Sequence, residues 1–166
     1  VYCSDRSLGT GQTYSASSKF NFASYYRMDY LADGAKANPS YNCTDIRDAF
    51  SVDNTSAKLD YPVGLMTIDE LSYAGGQAYT KLTAPYAWYY TNVNGESITG
   101  SAPSWALSPF DWDGSFSDVW SVHGSAYPGN LSDAYVDRSF AVRPRVSLSS
   151  CNLISRGAES ANNTYV

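Results

Sequence analysis

Charge is what this chain has least of. Asp, Glu, Lys and Arg make up 16% of its 166 residues, against a typical ~25%, and the formal net charge is -5. Binding a phosphate backbone takes an excess of Lys and Arg to displace counterions, so nucleic acid is disfavoured as a partner. There is a single histidine, His123, which argues against metal centres built on histidine clusters and leaves nucleophile–base pairs only one candidate base. The G-x-S-x-G elbow is absent. So are both glycine patterns that cradle phosphates, G-x-x-x-x-G-K-[ST] and G-x-G-x-x-G. No apolar run approaches the ~18 residues of a membrane span, so direct membrane insertion is not expected. Val1 is preceded by neither an initiator Met nor a signal-like segment, which reads as the exported C-terminal part of a longer protein, a single domain over residues 1–166.

Cysteine is scarce and odd in number: Cys3, Cys43 and Cys151. Abundant Tyr, Ser, Thr and Asn, few Lys and Glu, and short strand patterns suggest an extracellular protein in which a disulfide persists. One bridge and one leftover thiol are then possible. Cys3 to Cys43 is the pairing we favour, because it ties down an N-terminus with little apolar pattern to hold it; three unrelated thiols are the alternative.

What the chain does have is concentrated in one stretch. Residues 104–148 carry three of the four tryptophans. Trp105-Ala106-Leu107-Ser108-Pro109 and Asp118-Val119-Trp120-Ser121-Val122 read as strands. Phe140 to Leu148 alternates with period two, which predicts a strand burying Phe140, Val142, Val146 and Leu148. Between these lie Phe110 to Phe116 and Gly124 to Arg138, two segments of Trp, Tyr, Asp, Asn, Ser and Gly with almost no aliphatic bulk. Rigid aromatics beside small polar groups are the composition of a recognition surface; the alternative is ordinary surface loops of a β-rich extracellular protein.

Elsewhere the best-specified structure is Thr67-Ile68-Asp69-Glu70-Leu71. A Thr followed three residues later by Glu is a capping box, so a short helix is expected from Ile68 to about Ala74, ended by Gly75-Gly76. Capping explains Glu70 better than a catalytic pair with Asp69 does, since neighbouring helix positions do not face each other. Tyr61 to Met66 reads as a strand before it. Phe20 to Leu31 reads as one or two aromatic strands, Ala49 to Val52 as a short strand, and Gln77 to Tyr90 with Asn94-Gly95 as a hairpin. Asp111-Trp112-Asp113-Gly114-Ser115 resembles the opening of a calcium loop. An EF-hand needs Gly at position six and Glu at twelve, however, and here Gly is fourth and Val122 twelfth. Solvated loop carboxylates are favoured over other calcium geometries with Asp118, Asp133 and Asp137, and no metal or other cofactor is expected. The expected class is α+β, with short helices packed on antiparallel strands and long loops at one end.

Five segments in order resemble a family of uncharacterised domains of Firmicutes and their phages that look like C-type-lectin-fold proteins. They are Cys3 to Leu8, Tyr61 to Gly76, Trp105 to Pro109, Ala141 to Pro144 with its following strand, and a degenerate tail from Ile154 to Val166. The resemblance implies a C-type-lectin-like fold whose framework strands present a variable face, and it too implies a Cys3–Cys43 bridge. Related domains include the variable proteins of diversity-generating retroelements, in which adenines of the variable face are mutated. AAC codons cannot become Trp, Met, Lys, Gln or Glu by changes at adenine alone, and none of the eleven Met, Lys, Gln and Glu residues lies between Glu96 and Glu159. By that logic Trp112 and Trp120 are fixed, while Asp113, Ser115, Ser117, Asp118, His123, Tyr127, Asn130, Asp133, Tyr135 and Asp137 are free to vary. The chain has neither calcium motif of sugar-binding C-type lectins, Glu-Pro-Asn or Trp-Asn-Asp.

The resulting expectation is a non-enzymatic domain on a bacterial or virion surface that binds a protein or glycan receptor. Trp112, Phe116, Tyr127 and Tyr135 would be anchors, and Asp113, Asn130, Asp133 and Arg138 would set polar specificity. Arg143 is expected to brace the fold. The alternative is a structural subunit of a pilus-like or virion filament, with the aromatics packed in self-association. An enzyme using oxidative cysteine chemistry is disfavoured, because Cys151 has no cysteine near it in sequence.

Overall fold

The computed structural model describes residues 1–28, 37–83, 87–90 (backbone only at 87 and 88), 94 and 100–147. The class is mixed α+β. Five strands form a sheet in the order β2-β6-β7-β8-β5: β2 is Phe20–Asn21, β5 Gln77–Ala78, β6 Ser104–Trp112, β7 Ser117–Val122 and β8 Asn130–Tyr135. Neighbours are antiparallel except β5, which runs parallel to β8. Two-stranded ribbons flank it: β1 (Tyr2–Cys3) with β3 (Ala49–Phe50), and β4 (Val63–Gly64) with β9 (Arg145–Val146). The short helices are α1 (Ala23–Arg27), α2 (Ile68–Tyr73) and α3 (Ala87–Tyr90). None of the described helices is long and apolar enough to cross a membrane.

Strand β6, between β2 and β7, buries one of its faces. Ser104, Ala106, Ser108 and Phe110 alternate inward, and the short side chains at 106 and 108 let the helices approach the sheet closely. Ile68 N–H at the start of α2 donates to Ser108 Oγ at 3.0 Å. On β7, Trp120 is fully buried and sits at the centre of the core with Tyr25, Met28, Ile68, Leu71, Phe110, Val122 and Leu131. Its indole meets Phe110 edge-on at 4.8 Å. Burial of the indole N–H would be costly without a partner; it donates to Ser24 Oγ at 3.1 Å, and Ser24 donates in turn to the Pro109 carbonyl. This chain of bonds fixes α1 against the sheet.

The capping box is present in full: Glu70 N–H donates to Thr67 Oγ1 at 3.1 Å and Thr67 N–H to Glu70 Oε2 at 3.0 Å. Helix α2 ends at Ala74, and Gly75 follows with φ +106°, the left-handed conformation that stops a helix. Cys3 and Cys43 are bonded, 40 residues apart in sequence, and a disulfide is consistent with a non-cytoplasmic protein. Cys151 lies outside the described residues.

Other expectations need correction. Within the Phe20–Leu31 segment Ala23–Arg27 is helical, not extended: Tyr25 and Met28 are buried at a spacing of three, the helical period, which the density of aromatics obscured. Residues 29–31 lie outside the description. Only Val63–Gly64 of the Tyr61–Met66 segment is strand. Gly64 is needed there, since a Cβ would come within 2.9 Å of the Tyr2 ring. Of the expected 77–90 hairpin, Gln77–Ala78 is strand and Ala87–Tyr90 is helix, while Gly95 lies outside the described residues.

The expected strand from Phe140 is a single bridge at Ala141 to Ser104 and then the two residues of β9. Its alternation misleads: Val142 and Val146 are exposed, while Phe140 stacks on Trp105 at 4.4 Å. Leu148 lies outside the described residues. Arg143 does brace the fold, donating to the Tyr89 carbonyl at 2.5 Å with its guanidinium over the Tyr89 ring.

Candidate functional site

The two aromatic and polar segments, 110–116 and 124–138, are partly strand. β6 runs on through Phe110, Asp111 and Trp112, and Asn130 to Tyr135 is β8. Asn-Leu-Ser-Asp-Ala-Tyr lacks the β-branched residues that mark strands in sequence, so only pairing with β7 and β5 reveals it. Between β6 and β7 the chain reverses at Asp113–Phe116. Asp113 Oδ1 accepts from Ser115 N–H and Phe116 N–H, both at 2.7 Å, and Gly114 takes φ +98°. The Phe116 and Ser115 amides hold the Asp113 carboxyl below its ordinary range. Asp113 therefore shapes a hairpin turn.

Strand pairing divides the expected contact residues into two groups. At one end of β7 and β8 are Trp112, Asp113, Phe116, Asp118, Asp133, Tyr135, Asp137 and Arg138; at the other are His123, Tyr127 and Asn130. Five residue steps of about 3.3 Å put the strand ends some 16 Å apart. In the second group His123 meets Tyr127 edge-on at 5.7 Å, and Lys81 lies 5.4 Å from the Tyr127 ring centre. Its loop is tethered from beneath by Tyr90, whose hydroxyl donates to the His123 carbonyl and accepts from Gly129 N–H, each at 2.8 Å. Asn130 is buried, with Oδ1 unpartnered.

The first group is the better-formed site. Asn21, Asp111, Asp118 and Tyr135 are register partners in one row across β2, β6, β7 and β8, and the next row pairs Trp120 with Asp133. Side chains directly opposite on adjacent strands share a face, so Asp111, Asp118 and Asp133 converge. Asp118, expected at the displayed face, is only 6% exposed. Burial, and then the negative charges of Asp111 and Asp133, push its carboxyl up to about 7. Burial also raises Asp111. Asp111 Oδ1, Asp118 Oδ1 and the Trp112 indole N–H are buried without a hydrogen-bond partner. Asp133 accepts from the Tyr79 hydroxyl, and Tyr79 holds φ +53°, an uncommon conformation for a residue with a side chain.

Over these carboxylates lies a cavity of about 460 Å³ bounded by Asp118, Asp133, Ala134, Tyr135, Arg138 and Phe140. Phe116 packs on Tyr135 at 5.1 Å, yet the two rings stay 51% and 37% exposed. The Arg138 guanidinium sits 6.0 Å from the Tyr135 ring centre and also approaches Asp137 at 3.9 Å. Tyr79 and Phe140 were not legible as site residues, because each arrives from a segment distant in sequence, and Asp111 was not because only the register of the β6–β7 hairpin sets it opposite Asp118. Among the described residues no group of His, Cys, Asp and Glu is placed to hold a metal ion. No protein-family model, curated protein or solved structure matches the chain.

Proposed function

We propose that this chain is a non-enzymatic, extracellular ligand-binding domain of C-type-lectin-like fold, displayed on a bacterial or virion surface. Its contact site is the end of the sheet formed by the Asp113–Phe116 turn, the start of β7 and the end of β8. The observation that carries this reading is the exposed Phe116–Tyr135 pair at the rim of a cavity floored by buried Asp118 and half-buried Asp133. Large aromatics left in water beside unsatisfied polar atoms stabilise nothing in the isolated fold, and they are the usual anchors of protein recognition. On this reading the variable positions would be among the exposed ones, Ser115, Phe116, Ser117, Tyr135, Asp137 and Arg138, since Phe110, Asp118, Trp120 and Leu131 are buried.

The test is adhesion of the purified chain to arrays of glycans and surface proteins, comparing wild type with a Phe116→Ala/Tyr135→Ala variant. Loss of about tenfold or more in affinity with an unchanged unfolding midpoint is expected, as for removal of an interface anchor. Equal binding by both overturns the site. Concentration-dependent assembly of the wild type that the variant lacks would favour the filament subunit instead.

A further inference from the structure

We propose that the cavity between Asp118, Asp133, Tyr135 and Phe140 receives one basic side chain, lysine or arginine, from a protein partner. This deepens the ligand-binding reading and rests on it.

The cavity has the two components that cation recognition uses, an aromatic wall and unneutralised carboxylates. Tyr135 and Phe140 supply the wall. A guanidinium already lies against Tyr135, that of Arg138, at 6.0 Å, so the ring face accepts a cation. At the floor, Asp118 is 6% exposed with Oδ1 unpartnered. That oxygen is the independent sign of a missing partner: a buried acceptor without a donor is rare in a folded protein and costs stability.

Around the floor the carboxylates outnumber the cations, which are Arg138 in the cavity lining and Lys19 beside Asp111. Asp111 from β6, Asp113 from the turn, and Asp133 from β8 add negative charge to Asp118 on β7. Tyr79 from the segment after β5 satisfies one oxygen of Asp133. Lys19, ahead of β2, acts on Asp111 and Asp113. Among the described residues no cation pairs with Asp118; the ion pair of Arg138 is with Asp137. An anionic ligand would meet clustered carboxylates, and a neutral one would leave them uncompensated. A metal ion lacks a suitable ligand set here.

Binding has a proton consequence that balances simply. Near neutrality Asp118 carries a proton, and Asp111 shares a hydrogen bond with it. An entering ammonium or guanidinium takes the place of that proton, which leaves to solvent as Asp118 ionises. Affinity therefore rises with pH through about 7.

The experiment titrates the full chain with Nα-acetyl-arginine amide and, separately, with Nα-acetyl-citrulline amide, which has the same shape without the charge. Binding is followed by amide chemical shifts at pH 6 and pH 8. We expect the arginine probe to shift the Asp118, Asp133 and Tyr135 amides and to bind about tenfold tighter at pH 8, the ratio of ionised carboxylate for a group titrating near 7. The citrulline probe should leave these amides in place. Asp118→Asn should remove both the binding and its pH dependence. Asp133→Asn provides a second variant, and the wild-type comparison of pH 6 with pH 8 needs no variant at all.

Equal binding of the two probes, arginine binding independent of pH, or binding that survives Asp118→Asn overturns the proposal. If the arginine probe does not bind while Phe116→Ala/Tyr135→Ala still abolishes adhesion, the cation site fails and the ligand-binding site stands. Loss of neither adhesion nor probe binding in that double variant removes the ligand-binding site itself.

Discussion

Among the described residues, the carboxylates around buried Asp69 and those around buried Asp118 are treated in opposite ways. Around the disulfide and α2, Asp5, Asp69 and Glu70 line a cleft of about 780 Å³ together with Arg27 and Arg145. Every one of these acids is matched. Arg27 donates from Nε and Nη2 to Asp69, at 2.8 and 2.9 Å, and from Nη1 to Asp5 at 2.6 Å; Arg145 donates to Glu70. Ser40 N–H adds a bond to Asp69 at 2.8 Å. Burial alone would raise the Asp5 carboxyl, but the Ser7 bonds and Arg27 outweigh it and hold it below its ordinary value. At the other end of β6, Asp111, Asp118 and Asp133 converge without such a cation, and Asp118 is driven up instead. Matched charge fixes α1, α2 and the N-terminus in one arrangement. Unmatched charge costs stability, and at the cavity floor that cost appears as the raised proton affinity of Asp118.

The comparison can be broken most severely at Arg27. Arg27→Met leaves Asp5 and Asp69, whose side chains are 15% and 6% exposed, buried without their cation, and unfolding by urea should show a loss of about 3–5 kcal/mol. A loss under about 1 kcal/mol would mean that the network contributes no more than a surface ion pair. Glu70 sharpens the same side. Glu70→Ala removes half of the capping box and the partner of Arg145, with an expected cost of about 1–2 kcal/mol. Glu70→Gln retains an acceptor for Thr67 N–H and should recover most of that.

The effect expected on the unmatched side has the opposite sign. Folded Asp118 holds its proton up to about 7, against an ordinary value of 3.8. Between those pH values the folded chain binds more proton than the unfolded one, so stability falls as pH rises across the window, by at most about 1.4 kcal/mol per unit. Asp118→Asn should flatten this slope and leave the variant the more stable of the two at pH 8. Urea midpoints from pH 5 to pH 8 check it; identical slopes would show that the carboxylates are compensated after all.

Legibility followed the range of the interactions. Helix α2 was readable because Thr67 and Glu70 bond across three residues and the glycines follow at once. The Trp120 strand was readable from the alternation of Trp120 and Val122, both buried, although Ser121 between them is buried as well. Helix α1 was not, since Phe20, Phe22, Tyr25 and Tyr26 fit a strand pattern as readily as a helix until α1 packs beneath β6. At the site, Phe116, Tyr135 and Arg138 stood out by type. What could not be read was that Asp113 bonds its own turn, that Asp118 and Asn130 point inward, and that His123 and Tyr127 belong to a separate group one strand length away.

The sequence by itself determined the parts whose energetics are local: a capped helix, the Trp120 strand, the low charge that disfavours nucleic acid, and a store of aromatic and small polar residues in 104–148. Tertiary structure alone decided what those residues do. Register places Asp111 opposite Asp118 and Asp133 on the same face one row away, and the difference between a solvated acid and one titrating near 7 is made by that juxtaposition. Proton affinity depends on burial and on neighbouring charge, and both arise only when β6, β7 and β8 pair in register.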